Sequence, residues 1–375
     1  MTNVRNDPRL LREMERDGLD ALLAFSMENV FYLSGSLFAL QDNIRERLSV
    51  CGLVRDGTDF LICAQNEVSA VEAKCHVGRI ETYAEFDRSP IELLASLLEE
   101  QGLGSATIGV EKRYLMTEFY EELAARLPKA RLIASDRAIE AARAVKSPEH
   151  IGLIAKASRA TEDAVADAFA AMRPGMSERA LATAILEGMH DRGAQVMRHN
   201  IVTVGDNARH AHPYPSPSKR LDPGDVVRID VGGLFDGYGS DIARMAVVGR
   251  PDERQTEIYG RVRGCVHSIG PAMRAGMAAK EVYRAAVEYY AANGISGYRR
   301  DHVGHSLSIL GGHDNPMLHR GNDMLLEAGM VIALEPILTD ETGRRYTVED
   351  TFEVKAEGAE LLTSATETSK MAVIA

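Results

Sequence analysis

The spacing of apolar and polar positions changes character near residue 140. Before that point, amphipathic helical patterns alternate with short apolar runs. The predicted helices cover 9–17, 91–100 and 118–127, and the predicted strands cover 21–25, 49–54, 60–64 and 106–111. This alternation predicts a compact α/β domain over residues 1–140.

A second domain is predicted over residues 141–375. Ser147 and Pro148 are typical of a helix N-cap and first turn, and residues 149–172 follow as one long helical pattern. Helical patterns also cover 178–192 and 279–293. The second domain therefore begins with a helix that starts at a defined point.

The second domain contains a weak internal repeat. A glycine turn leads into an apolar strand that ends in a carboxylate, in LDPGDVVRID and again in LEAGMVIALE. A His-x-x-Pro segment precedes each strand, beginning at His212 and at His313. Two copies packed face to face would bring Asp230 and Glu335 together, with both histidines nearby. We therefore expect a duplicated domain with one central site.

Four carboxylates and one histidine are the strongest candidates for that site. Asp230 and Asp241 flank one turn, and Glu335 and Glu349 flank another. An ionised carboxylate in an apolar strand is costly unless it is paired or binds a metal. His305, in DHVGHSLS, adds a nitrogen donor. Such a donor set suits manganese, iron, cobalt or zinc, and two ions would offset four carboxylates better than one.

The other polar residues and the cysteines are predicted to have structural roles. Histidines 199, 302 and 319 are interpreted as surface or hydrogen-bonded groups. Asp301, Asp314, Asp340 and Asp350 are interpreted as loop, cap or supporting residues. The four cysteines are scattered and form no C-x-x-C pair, so we expect free thiols.

Charge and hydropathy limit the partners that the chain can have. The formal net charge is −12, with no block of Lys and Arg, which argues against nucleic-acid binding. No apolar run approaches the about 18 residues of a membrane span. The start of the chain lacks the apolar core of a signal peptide. We therefore expect a cytoplasmic protein.

Five short segments resemble the pita-bread metallopeptidases, which include methionine aminopeptidase, aminopeptidase P, Xaa-Pro dipeptidase and the creatinase relatives. The segments are VRIDVG, GSDIAR, HVGH, ALEP and VEDT. ENVFYLSG resembles the creatinase-type N-terminal domain of this family, and KSPEH resembles the junction between its domains. The resemblance implies an α/β (α+β) architecture, in which a creatinase-type α/β domain precedes a duplicated pita-bread catalytic domain. It also implies a homodimer.

The same resemblance implies roles for the candidate metal ligands. Asp230 would bind one of two divalent ions, and His305 and Glu335 would bind the other. Asp241 and Glu349 would bridge the pair, with manganese as the leading choice of metal. Glu335 would also shuttle a proton.

On the substrate side, the resemblance implies two histidines and an activity. His212 and His313 would be catalytic and contact the substrate, with His210 as a further substrate-binding candidate. The implied activity is hydrolysis of the amide bond between an N-terminal residue and proline in dipeptides or short peptides.

Departures from the family pattern keep two alternatives open. Serines 306 and 308 replace family glycines, and Thr347 stands where many prolidases carry arginine, although Arg344 and Arg345 are close. One alternative is a non-peptidase relative that acts on a small C–N or C–S substrate, as ectoine hydrolase, creatinase and dimethylsulfoniopropionate lyase do. The other is a catalytically silent binding module, which the retention of all five ligands disfavours.

Overall fold

A computed structural model describes residues 7–38, 41, 43–72, 74–310 and 313–375. The first six residues of the predicted N-terminal domain, and residues 311 and 312 before His313, lie outside this description. The chain divides into two compact units, Met1–Arg143 and Ala144–Ala375. Among the described residues, no helix combines the length and the apolarity needed to cross a membrane.

The first unit alternates helices and strands. Its helices are α1 (Pro8–Arg16), α2 (Met27–Ser34), α3 (Val68–Glu72), α4 (Pro90–Glu100), α5 (Thr117–Arg126) and α6 (Asp136–Ala144). Its strands are β1 (Ala21–Ala24), β2 (Val50–Val54), β3 (Asp59–Ala64), β4 (Ile80–Tyr83), β5 (Thr107–Val110) and β6 (Arg131–Ala134). Each helix and strand expected from the sequence in this unit is present, with bounds shifted by at most one residue.

A mixed sheet in the order β4-β3-β2-β1-β5-β6 forms the centre of this unit. Strand β1 pairs antiparallel with β2 and parallel with β5. Apolar side chains of the sheet pack on α4 and α5, where Leu94, Ile108 and Leu123 are fully buried. Ser89 caps α4 by accepting a hydrogen bond from the Ile91 backbone N–H at 3.1 Å.

The second unit begins with a capped helix, as expected. Its helices are α7 (Pro148–Ala171), α8 (Glu178–Asp191), α9 (Glu253–Ile269) and α10 (Ala279–Ala292). Its strands are β7 (Val196–Val204), β8 (Val226–Phe235), β9 (Tyr238–Gly239), β10 (Ile242–Val248), β11 (Gly304–Ser306), β12 (Val331–Leu334), β13 (Ile337–Thr339), β14 (Arg345–Thr347), β15 (Asp350–Val354), β16 (Ala359–Leu361) and β17 (Ala372–Ile374). The Ser147 side chain caps α7 by accepting from the His150 N–H at 3.3 Å.

The internal repeat is visible in the backbone of the second unit. Gly175 and Gly276 both have φ of +83°, and Gly224 and Gly329 both have φ of +88°. Glycine adopts such positive φ angles without strain. In each copy the first glycine N–H donates 2.8 Å to a leucine carbonyl at the matching position, Leu221 or Leu326. The two copies therefore share turn geometry as well as sequence.

Two sheets carry the strands of the two copies. One has the order β17-β10-β8-β7, with β9 paired to β8, and the other has the order β11-β12-β15-β16. The short hairpin β13–β14 lies between β12 and β15 along the chain. An isolated bridge between Ala243 and Glu349 connects β10 to the residue just before β15.

Candidate metal centre

Strand register brings Asp230, Asp241 and Glu349 to one side of the first sheet. Asp230 in β8 lies opposite Ala243 of β10, and Glu349 bridges to the same Ala243. Asp241 lies two residues before Ala243. Residues paired across strands share a face, and so do residues two apart along a strand. The three carboxylates therefore gather around the small side chain of Ala243.

The second sheet places His305 and Glu335 in a similar way. His305 lies in β11 opposite Ala333 of β12. Glu335 follows Ala333 by two residues, and its N–H donates to the Val303 carbonyl at 2.8 Å. The structure thus brings the two halves of the predicted ligand set together, since His305 faces carboxylates from both sheets.

His305 shows most clearly that the cluster fits a cation. Its Nε2 is buried and has no hydrogen-bond partner among the described residues. This atom faces oxygens of Asp241, Glu335 and Glu349 at 3.7, 3.9 and 3.8 Å, which is too long for hydrogen bonds. Nδ1 lies 3.1 Å from the Ser306 carbonyl, and a proton on Nδ1 leaves a free lone pair on Nε2. Carboxylates and a neutral imidazole are a donor set for a divalent ion.

His199 is a further potential donor, which the sequence analysis placed outside the site. Its Nε2 lies 3.2 Å from Asp230 Oδ1 and 3.1 Å from Asp241 Oδ1. His199 pairs with Gly232 across β7 and β8, where a Cβ would lie 2.5 Å from the imidazole ring. Glycine at 232 is therefore required for this placement, and it is a signal that sequence reasoning could have used.

The carboxylates of the cluster differ in how well the protein compensates their charge. Burial raises the pKa of Glu349 well above its usual value, and the negative charges of Asp241 and Glu335 raise it further. Burial also acts to raise the pKa of Asp230, but the hydrogen bond and charge of His199 outweigh it and the pKa is lowered. His199 in turn has a raised pKa, because its two aspartate partners outweigh its burial. Glu349 is thus the least compensated of these groups.

Glu335 is held by Arg300 and lies close to His302. Arg300 Nη2 donates to Glu335 Oε2 at 2.6 Å, and Arg300 Nη1 donates to the Glu335 backbone carbonyl. His302 Nδ1 lies 3.4 Å from Oε1 of the same carboxylate. His302 was interpreted from the sequence as a surface or hydrogen-bonded group, and the structure places it beside a predicted ligand.

His313 stacks on the predicted ligand His305. Their ring centroids are 3.8 Å apart and the rings are tilted by 20°. Burial and the neighbouring His305 lower the pKa of His313, which favours the neutral ring near pH 7. A neutral imidazole can donate one hydrogen bond to a substrate oxygen.

A cavity of about 980 Å³ opens onto the cluster. Its lining includes the predicted site residues Asp230, Asp241, Glu335, Glu349, His212 and His313. The His212 side chain is exposed, as expected of a group that meets a substrate. His210 is also exposed, and its backbone carbonyl accepts a hydrogen bond from Arg228 at 3.1 Å. Of the three predicted substrate-side histidines, the structure places two at the cavity wall.

Arg244 binds the backbone that carries Glu349. Its Nη1 donates to the backbone carbonyl of Glu349 at 2.6 Å. Its Nη2 lies 2.9 Å from both Glu162 Oε1 and Asp350 Oδ1, and all three side chains are buried. Charge-assisted hydrogen bonds of this kind hold a strand firmly. The backbone that carries Glu349 is therefore fixed by a paired ionic cluster.

Comparison with known proteins agrees with this geometry. The model of metallopeptidase family M24 matches residues 152–356, and the model of the creatinase/prolidase N-terminal domain matches residues 8–145. The chain belongs to metallopeptidase family M24. It is therefore a metallohydrolase that combines a creatinase-like N-terminal domain with a pita-bread domain.

Relatives of this M24 protein cover nearly its whole length. It is 28% identical to a Xaa-Pro dipeptidase of Pyrococcus horikoshii over 95% of both chains. It is 29% identical to an uncharacterized peptidase of Bacillus subtilis, over 92% of this chain and 94% of the relative. The crystal structure of the prolidase from P. horikoshii superposes with a TM-score of 0.84 at 26% identity, covering 97% of this chain and 99% of the prolidase.

Proposed function

We propose that this M24 protein hydrolyses the amide bond between an N-terminal residue and proline in dipeptides or short peptides. The unpartnered Nε2 of His305, facing carboxylates from both sheets at the cavity, is the observation that carries the proposal. The similarity to a Xaa-Pro dipeptidase supports the choice of bond. Such an activity requires a metal centre and an adjoining space for a short substrate, and the second unit has residues suited to both.

Two divalent ions are proposed for the cluster. Asp230 would hold one ion, His305 and Glu335 would hold the other, and Asp241 and Glu349 would bridge them. Two doubly charged ions would neutralise the four carboxylates, whose mutual repulsion is evident at Glu349. The ions would supply Lewis-acid polarisation of the scissile carbonyl and activation of a water molecule. Manganese is the proposed metal, and cobalt, zinc and iron suit the same donors.

His199 is proposed as an additional donor to the ion that Asp230 holds. Its Nε2 is within 3.2 Å of Asp230 and 3.1 Å of Asp241. Binding of an ion there would displace the proton that the two aspartates favour on the ring, so metal binding would release protons. The His199 imidazole would then bind the ion in the metal-loaded protein. In the metal-free protein it would balance the negative charge of the two aspartates.

The remaining residues would orient the substrate and move protons. We assign His212 and His313 to substrate contact, with the neutral ring of His313 donating to the scissile carbonyl as negative charge develops there. Arg300 holds Oε2 of Glu335. We therefore assign the proton-carrying role to Oε1 of Glu335, which Arg300 leaves free.

Hydrolysis of a panel of Xaa-Pro dipeptides by chelator-stripped protein tests this function. Turnover should appear only when manganese, cobalt or zinc is restored, and matched Xaa-Ala dipeptides should be poorer substrates. His212→Ala should retain metal while losing turnover, because His212 is assigned to the substrate. A panel that stays uncleaved by protein with bound metal would refute the proposed bond specificity.

A further inference from the structure

The cavity beside the metal centre is rich in arginine. Seven arginine side chains belong to its lining. Three of them have carboxylate partners in the protein. Arg300 pairs with Glu335 at 2.6 Å, Arg254 with Glu257 at 2.7 Å, and Arg261 with the same Glu257 at 2.7 Å. The other four, Arg198, Arg228, Arg299 and Arg345, lack such close pairing among the described residues.

Arg228 is the most confined of these four. It lies in β8 two residues before Asp230, so both side chains share a face of the strand. Its side chain is only 2% exposed, and its Nε has no hydrogen-bond partner among the residues described. Its Nη2 donates to the carbonyls of His210 and Ala211, and its Nη1 is 3.7 Å from Asp230 Oδ2. A buried guanidinium whose charge is only partly compensated by the protein favours an anion on the cavity side.

Arg345 approaches the same place from β14. Its Nε donates to the Arg209 carbonyl at 3.3 Å, and no carboxylate of the described residues lies within ion-pair distance of it. Arg345 and Arg228 donate to the carbonyls of consecutive residues, Arg209 and His210, so the two guanidinium groups lie near each other. Positively charged guanidinium groups that lie close together at a cavity wall favour the binding of an anion. Arginine binds anions with paired hydrogen bonds.

Charge balance indicates how much anionic charge the cavity can accept. Two divalent ions would neutralise Asp230, Asp241, Glu335 and Glu349, and Arg300 would then add a further positive charge. Asp301, which also lines the cavity, and the C-terminal carboxylate of a dipeptide offset only two of the remaining guanidinium charges. A substrate with a second carboxylate complements the cavity better than a substrate with one.

We propose that Arg228 and Arg345 form a subsite for a carboxylate side chain, so that the preferred substrates are acidic short peptides such as Glu-Pro and Asp-Pro. This inference rests on the proposed peptidase function for the bond that is cleaved. The subsite itself rests on the arginine geometry and on the charge balance of the cavity. Binding of a dicarboxylate can therefore be measured separately from turnover.

Matched substrate pairs test the preference. Glu-Pro should be cleaved with a kcat/KM about ten- to hundredfold above that of Gln-Pro, because the amide loses a charge-assisted hydrogen bond. Arg345→Gln should bring this ratio close to one. Arg254→Gln, in a cavity arginine that already has glutamate partners, should keep the ratio. Equal cleavage of Glu-Pro and Gln-Pro by the wild type would overturn the preference and leave the peptidase proposal standing.

Binding of glutarate and of valerate, measured by calorimetry on the metal-loaded protein, provides the second readout. Glutarate should bind about tenfold more tightly than valerate, which has the same chain length and one carboxylate. Arg345→Gln and Arg228→Lys should both reduce this difference, and the lysine variant keeps a charge at the buried position. Tighter glutarate binding with no cleavage of any dipeptide would retain the subsite and reject the peptidase. Equal binding of the two acids would reject the subsite.

Discussion

Glu349 and Asp350 are consecutive buried acids whose surroundings are opposite. Glu349 faces Asp241 and Glu335, and the pKa of its carboxyl is well above the usual value because of burial and these negative neighbours. Asp350 is also buried, but Arg244, His267 and Thr363 outweigh its burial and lower its pKa. Asp350 thus belongs to an ionic cluster in which the protein supplies the cation, and Glu349 belongs to a cluster that suits an external cation.

This difference distinguishes a buried carboxylate that stabilises the fold from one that is available to a metal ion. The Asp350 carboxylate receives hydrogen bonds from Arg244 at 2.9 Å and from Thr363 at 2.8 Å, and His267 lies 3.1 Å away. For Glu349, His305 is the basic group at ion-pair distance, at 3.8 Å. Burial alone therefore does not identify a metal site. A buried carboxylate that faces other carboxylates, with no close cationic partner among the described residues, does identify one.

The largest expected effect comes from a bridging ligand. Asp241→Asn should abolish turnover and lower metal affinity by more than the about 100-fold that loss of a supporting hydrogen bond causes. Metal content after dialysis and dipeptide hydrolysis measure the two effects together. The control is Asp163→Asn on the exposed face of α7, where Asp163 pairs with Arg159. A variant at 241 with full metal and a normal rate would contradict the bridging role.

Breaking the complete cluster should cost stability. Arg244→Met leaves Glu162 and Asp350 buried without their shared cation. We expect the free energy of unfolding to fall by about 3–5 kcal/mol, measured by denaturant titration of the metal-free protein. Arg254→Met removes an exposed arginine with two glutamate partners and should change stability by less than about 1 kcal/mol. Equal effects of the two variants would show that burial of the pair is unimportant.

His199 tests the comparison further, because it partly balances the negative charge of Asp230 and Asp241 in the metal cluster. His199→Gln should weaken binding of one of two ions by about 10- to 100-fold and alter the visible spectrum of the cobalt-loaded protein. His190→Gln, in a histidine that bonds to the Ala194 carbonyl, should leave both unchanged. A cobalt spectrum unaffected by the change at 199 would exclude the residue as a ligand.

Substitution of Glu349 should show how much repulsion between the carboxylates destabilises the metal-free protein. Glu349→Gln removes a carboxylate that its neighbours repel, so the free energy of unfolding of the metal-free protein should rise by about 1 kcal/mol. Asp350→Asn, one residue away, should lower it, since the variant weakens bonds to Arg244. Denaturant titrations of the two metal-free variants measure both signs. Destabilisation by both substitutions would remove the distinction between the clusters.

The smallest expected effect is on pH dependence. The raised pKa of Glu349 means that the folded metal-free protein binds more protons than the unfolded chain above the usual glutamate pKa. Its free energy of unfolding should therefore fall as the pH rises above the usual glutamate pKa. The raised pKa of His199 acts with the same sign above the usual histidine pKa. The slope should be smaller in Glu349→Gln, and an unchanged slope would contradict the assignment.

Local sequence patterns predicted much of this architecture. The N-cap at Ser147 and the glycine turns locate α7, β12 and the start of β8 with little error, but β8 does not end at Asp230 as expected and continues to Phe235. The internal repeat predicted that Asp230 and Glu335 meet, because a duplication fixes long-range pairing that single segments leave open. Helix α2 and strands β4 and β6 were not predicted, since their apolar runs are short.

His199 and the arginine subsite depend on pairing that local patterns do not determine. His199 is one polar residue in a strand, and only the register of β7 on β8 brings it to Asp230. Arg228 and Arg345 lie 117 positions apart in the sequence and line the same cavity only in the folded chain. The sequence around Asp350 is that of an ordinary acidic residue at a strand end. Only the tertiary structure shows that Arg244 pairs with it.

Metal titration of the chelator-stripped protein is the most direct test of the central claim, that the unbalanced cluster is built for two divalent ions. Calorimetry with manganese should show about two equivalents bound to the wild type, with proton release, and loss of at least one equivalent in Glu349→Gln. Asp350→Asn should still bind two. A wild-type protein that binds no manganese, or a Glu349→Gln variant that binds as the wild type does, would contradict the account.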